Sequence, residues 1–181
     1  MISPDKYVLI FWDFDGVIKE SISVKTGAFV DLFQPFGKRV CEKVRSHHLE
    51  NGGMSRFDKI PLYLKWANLE PTDAIVQFFC DKFSGIVKDK VIASAWVPGV
   101  EKLLRNNKGE FIFVMVSATP QDELEDICKS LKLDEIFSKI YGSPAAKTES
   151  IRESIIHHKA HASSCIMIGD AQADIDAAQD N

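Results

Sequence analysis

Four short apolar runs constrain this chain more than any other feature: Tyr7–Trp12, Phe111–Val116, Ile136–Tyr141 and Cys165–Ile168. None alternates apolar with polar residues. A strand that is apolar on both faces needs cover on both, as parallel strands between two layers of helices have. The stretches around the later runs supply those helices. Val100–Asn106 follows Pro98-Gly99, and Pro120–Leu131 opens on proline with Asp122 and Glu123 in its first turn. Proline there sacrifices no helical hydrogen bond, and acids suit the positive end of the helix dipole. Lys147–His158 and Ala171–Gln179 complete the series. From residue 98 onward helices and strands alternate, which predicts an α/β fold with a mostly parallel sheet.

Residues 18–97 break this order. They hold no convincing strand and read as four amphipathic helices, Ser23–Phe33, Lys38–Leu49, Arg56–Asn68 and Thr72–Val87. Breaks fall at Pro35-Phe36-Gly37, Asn51-Gly52-Gly53 and Glu70-Pro71. The expected organisation is an α/β core of residues 1–17 and 98–181, with a helical insert, 18–97, after the first strand. Trp96-Val97-Pro98-Gly99 reads as the hinge where the insert rejoins the core.

Composition narrows the function classes. The 181 residues are 45% hydrophobic and 27% charged, normal for a chain that buries a core. A net charge of −4 with no basic cluster argues against nucleic acid as a partner. Cys41, Cys80, Cys128 and Cys165 are dispersed with no zinc spacing, a usage that fits a reducing cytoplasm, where the protein is expected. No run approaches the roughly 18 apolar residues of a membrane span. The first apolar run ends at Asp13 and has no features of a signal peptide.

The ends of the strands carry the chemistry, and ligand sites of open α/β sheets lie at those ends. The first run ends in Asp13-Phe14-Asp15-Gly16, and the second in Ser117-Ala118-Thr119. Lys147 opens the helix after the third, and the fourth ends in Gly169-Asp170, with Asp174 beyond. Asp-Gly alone marks nothing more than a turn. Together these side chains would gather several carboxylates, a hydroxyl and an ammonium at one sheet edge. Clustered carboxylates repel unless a cation compensates, and an all-oxygen set suits a hard cation such as Mg²⁺. A hydroxyl and a lysine beside it suit the oxygens of a transferring phosphoryl group. One aspartate of the pair can attack phosphorus while the other moves the proton.

On these residues the chain resembles the haloacid dehalogenase superfamily of phosphatases. Asp13-Phe14-Asp15-Gly16-Val17, Ser117, Lys147 and Gly169-Asp170…Asp174 match its four motifs in order. The resemblance implies a Rossmann-like core with a helical cap of the kind found in phosphoglycolate phosphatases and β-phosphoglucomutases. It implies Asp13 as nucleophile and magnesium ligand. Asp15 is implied as general acid/base, with its carbonyl on the metal. Ser117, with Ala118 and Lys147, would bind the phosphoryl group, Asp170 would ligate Mg²⁺, and Asp174 would support the metal or Lys147. True dehalogenases of the superfamily lack the second aspartate, so Asp15 argues for phosphoryl chemistry.

Substrate choice is expected from the cap. Its stretch "HHLENGGMSRFDK", residues 47–59, resembles the cap loop of β-phosphoglucomutases that holds the far end of the substrate. By that resemblance Arg56 would bind a carboxylate or second phosphate, with His47 or Asn51 helping. Equally, Arg56 could be a solvated helix start. His47 and His48, adjacent on a helix, cannot both face one site. The expected function is a Mg²⁺-dependent phosphatase of a small phosphate monoester, acting as a monomer. A phosphomutase using the same aspartates, or a non-catalytic regulator on this scaffold, remains open. The superfamily usually continues with another strand and helix beyond Asp170, so either truncation or a short sheet edge is expected at the C-terminus.

Overall fold

A computed structural model of the chain describes residues 8–107 and 109–181; Tyr7, the expected first strand residue, lies outside them. Strand β1, Leu9–Trp12, is buried along its whole length. It pairs in parallel with β2 (Ile112–Pro120) on one side and β4 (Cys165–Ile168) on the other, and β3 (Lys139–Ser143) pairs with β2. The order is β3-β2-β1-β4, the covered parallel sheet that the apolar runs require. Leu9 and Phe11 pack on one face with Ile151 and Ala177. Ile10 and Trp12 pack on the other with Leu124, Ile127 and the aromatic centre of the helical cap.

The strand boundaries differ from expectation most at the end of β2 and the start of β3. β2 runs on to Pro120, because pairing with β3 lapses after Val116 and resumes at Pro120 opposite Ser143. Ser117–Thr119 lie in that irregular stretch. β3 starts late because Ile136 and Phe137 donate their N–H groups to the Leu133 carbonyl, making a turn that buries Leu133 and Phe137.

Between β1 and β2 come α1 (Ile22–Phe33), α2 (Lys38–Glu50), α3 (Arg56–Trp66), α4 (Asp73–Ala93) and α5 (Val100–Asn106). The helical cap is therefore inserted after the first strand. Ser55 and Thr72 cap α3 and α4 by accepting backbone N–H bonds. Phe29, Phe33, Tyr63 and Phe83 fill the cap centre, with Phe29 and Phe83 ring centroids 4.0 Å apart. α4 passes the expected end at Val87 because Val91, one turn on, is buried too. The two links to the cap lie side by side: Glu20 N–H donates to Ala95 O at 2.8 Å and Val97 N–H to Ile18 O at 3.0 Å. The expected hinge, Trp96–Gly99, is one side of that crossing. The remaining helices are α6 (Gln121–Ser130), α7 (Lys147–His157) and α8 (Gln172–Gln179).

Candidate active site

Asp13 leaves β1 level with the ends of both neighbours, since Trp12 lies opposite Met115 and Ile168. Its N–H donates to Ile168 O at 2.9 Å, and its Oδ1 accepts from Phe14 N–H at 2.8 Å. The carboxylate is thereby held at the sheet edge. Lys147 Nζ, at the start of α7, lies 3.1 Å from Asp13 Oδ2 and 2.5 Å from Asp174 Oδ1. Asp174 Oδ2 accepts from Ala171 N–H at 3.1 Å, which fixes it at the start of α8. Asp170 is exposed beside them. Carboxylate oxygens of Asp13, Asp170 and Asp174 all lie within 4.8 Å of one another.

The turn after β1 favours glycine strongly. Gly16 has φ +76°, and a Cβ there would sit 2.2 Å from Asp170 Oδ2. The turn carries Asp15 to the cap side, where three donors meet it. Ser21 Oγ donates to Oδ1 at 2.6 Å; Thr119 Oγ1 and Lys25 Nζ donate to Oδ2, the former at 3.2 Å. Lys25 also donates to Thr119 Oγ1 at 2.7 Å. Ser117 accepts from Thr119 N–H at 3.2 Å and sits behind Ala118 and Thr119, which front the cavity.

The electrostatics of the two aspartates diverge. Burial pushes Asp13 up to about 7; Lys147 opposes this, while Asp174 and Asp15 add to it. Burial also works against ionised Asp15, but the adjacent Lys25 and the bonds from Lys25, Ser21 and Thr119 outweigh it and hold the carboxyl below its usual range. Burial opposes the Lys147 ammonium, yet Asp13 and Asp174 raise it above its ordinary value. Lys147 pairs with Asp13 and Asp174, and Asp170 stands beside them, so the three sets of carboxylate oxygens fit a hard divalent cation, which would offset the surplus negative charge.

A cavity of about 440 Å³ lies between these core residues and the cap. Asp13, Asp15, Ala118, Thr119 and Asp170 line its core side; Lys25, His48, Asn51, Arg56 and Lys59 line its cap side. The cap loop presses on the core here: a Cβ on Gly53 would lie 2.5 Å from Ala173 Cβ.

Of the expected cap residues, Arg56 faces the cavity, but its terminal nitrogens are engaged. They donate to Glu123 Oε2 and Oε1 at 2.8 and 2.5 Å, and Nη1 also donates to Ser84 Oγ at 2.5 Å. Asn51 lines the cavity, with its Nδ2 donating to His47 O at 2.8 Å. His47 turns away to the Tyr63 hydroxyl, 3.1 Å off, and its neighbour His48 turns in. Sequence reasoning missed Ser21, Lys25, His48, Lys59, Thr119 and Glu123. One signal was present for Lys59: it shares a helical stripe with Ile60 and Tyr63, an apolar face where a lysine is out of place.

A model of the haloacid dehalogenase-like hydrolase family matches residues 10–181. No curated protein matches the chain. Among solved structures, the chain is similar to a predicted phosphoglycolate phosphatase from Haemophilus somnus 129pt, with 18% identity, TM-score 0.73, and coverage of 99% of this chain and 83% of that one. It is similar to a putative haloacid dehalogenase-like hydrolase from Bacteroides fragilis at 18% identity and TM-score 0.74, covering 97% and 84%. It is also similar to a variant of CbbY from Rhodobacter sphaeroides in complex with xylulose-(1,5)-bisphosphate, at 17% identity and TM-score 0.75, covering 96% and 82%. Identities this low establish the shared fold. Among the described residues, no helix is long and apolar enough to cross a membrane.

Proposed function

The chain belongs to the haloacid dehalogenase-like hydrolases, and from that premise we propose that it is a magnesium-dependent phosphatase of a small phosphate monoester. The observation that carries this reading is the convergence of Asp13, Lys147, Asp170 and Asp174 with Asp15 at one end of one sheet, facing a cavity of metabolite size. The residues 18–97 form the unit that closes over that cavity.

Asp13 is the nucleophile. One carboxylate oxygen bonds to phosphorus as the ester P–O bond breaks, and Asp15, held ionised by Lys25 in the free site, takes up a proton once the anionic substrate lies beside it and delivers that proton to the leaving oxygen. Asp15, now a carboxylate, then takes a proton from water, whose oxygen bonds to phosphorus and releases Asp13 and inorganic phosphate. Lys147 steadies charge on Asp13, and Ser117 and Ala118 receive the phosphoryl oxygens. Asp13, Asp170 and the Asp15 carbonyl would hold Mg²⁺, which when bound offsets negative charge on the phosphoryl group. Asp174 holds Lys147 in place.

The test is phosphate release from a panel of monoesters, including p-nitrophenyl phosphate, phosphoglycolate and sugar phosphates, with and without Mg²⁺. Release should need the metal and fall by about 10³-fold or more in Asp13→Asn. A second reading, a phosphomutase, is favoured by the close approach of the cap loop at Gly53 to Ala173 of the core. Isomerised ester in place of free phosphate would decide for it.

A further inference from the structure

The cations of the cavity are not equivalent. Lys25 is paired with Asp15, and Arg56 with Glu123. Lys59 is 1% exposed, and among the described residues no ion pair includes it. Its partner is the ring of His48, with Nζ 3.0 Å from Nδ1. His48 is itself buried, and burial, together with Lys59 and Lys25, drives it down to about 3, so it is neutral and accepts from the ammonium. An ammonium has three protons to donate, and His48 takes one.

Another deeply buried lysine shows the contrast. Lys19 donates to the Ile92 carbonyl at 3.0 Å and lies over the Trp96 ring, away from the cavity lining. It is accounted for by structure. Lys59 lines the same cavity as Asp13 and Asp15, from the cap side, and among the described residues no carboxylate forms an ion pair with it. Burying an ammonium without a counter-charge is costly, and a long side chain on a cap helix could otherwise reach water.

We propose that Lys59, seated on His48, is the subsite for a second anionic group of the substrate, so that the preferred monoester carries a carboxylate or further phosphate away from the transferring phosphoryl. The proposal rests on the phosphatase reading for the identity of the first group. It moves the anchoring role from Arg56, which is paired with Glu123, to the cation whose partner is a neutral imidazole. His48 is a positioning residue: it fixes the ammonium and leaves its remaining protons to the ligand.

The test separates binding from turnover. Asp13→Asn protein with Mg²⁺ is titrated by calorimetry with matched esters: phosphoglycolate against hydroxyethyl phosphate, and a hexose bisphosphate against its monophosphate. At least one anion-bearing member should bind about tenfold or more tightly than its partner, the scale of one charge-assisted contact. That ratio should collapse toward unity when Lys59→Met is added. Equal binding within both pairs, a ratio that survives Lys59→Met, or no binding by either anion-bearing ester overturns the proposal. Lys59→Gln, which keeps a polar head, is the second variant should Lys59→Met fail to fold, and the ratio should collapse in it as well. A Lys59-dependent ratio with no hydrolysis by wild type would sink the phosphatase reading and leave the subsite standing; hydrolysis without preference would do the reverse.

Discussion

Arg56 of the cap and Glu123 of the core are joined at two points, with nitrogen–oxygen distances of 2.8 and 2.5 Å, in a pair that is almost wholly buried. Ser84 Oγ donates to the same Glu123 Oε2 at 2.6 Å, and the Arg56 guanidinium lies 4.5 Å from the Phe83 ring centroid. The link ties α3 and α4 to the first turn of α6. Removing one partner leaves a charge buried and alone, which typically costs about 3–5 kcal/mol. Glu123→Ala should lower the unfolding free energy by that order in denaturant titration. Replacing both residues with apolar ones of similar volume should recover much of the loss. Equal stability of the single variant and wild type would show that the pair does not form in solution.

Lys25 sets the protonation of Asp15. In Lys25→Met the opposing effect of burial is left with only the Ser21 and Thr119 hydrogen bonds against it. The Asp15 carboxyl should rise, moving the limb of the kcat–pH profile that it governs to higher pH. An unmoved profile would refute this tuning.

Lys59 should destabilise the fold that holds it. Burial, then Lys25, lowers its folded value from 10.5 to about 8, and Asp15 opposes the shift. Below pH 8 the ammonium is charged in both states, and the cost, on the order of 3 kcal/mol, is fully present. Between pH 8 and 10.5 the unfolded state binds more protons, so stability rises with pH and the cost fades. Lys59→Met should therefore be more stable than wild type at pH 7, and the gap should narrow above pH 8. Thermal melts at pH 7 and 9.5 measure it.

Mg²⁺ should stabilise the protein more at pH 8 than at pH 5.5. The folded Asp13 value near 7 lies above the ordinary 3.8, chiefly through burial. Without metal the folded state therefore binds more protons, and this group's contribution to stability declines as pH rises from 3.8 to 7. Above 7 the ionised carboxylate is free to ligate, and proton competition with the metal ends. The melting temperature with Mg²⁺ and then with excess chelator, at each pH, reads this directly. An equal shift at both pH values, or none, would count against Asp13 as a ligand. Asp170→Ala should abolish the shift.

The sequence alone determined the sheet, the placement of the helical cap and the carboxylates at the strand ends. Each depends on a local signal: runs apolar on both faces, helical periodicity with breakers between, and polar residues directly after a strand. A parallel sheet brings its strand ends to one edge, so Asp13, Ser117, Lys147 and Asp170 were readable as one set before any contact was known. Boundaries failed where pairing was non-local, as at Pro120 opposite Ser143 and in the Leu133–Phe137 turn. The charge pattern of the cavity was decided only by tertiary structure. Arg56 was equally a ligand anchor or a solvated helix start by sequence, and the fold pairs it with Glu123, while Lys25, Thr119 and Asp15 meet across two elements and a turn. Which cation finds a carboxylate depends on how cap and core abut, and no local periodicity encodes that. Lys59 is left over because the packing brings a neutral imidazole, and no acid, to its side.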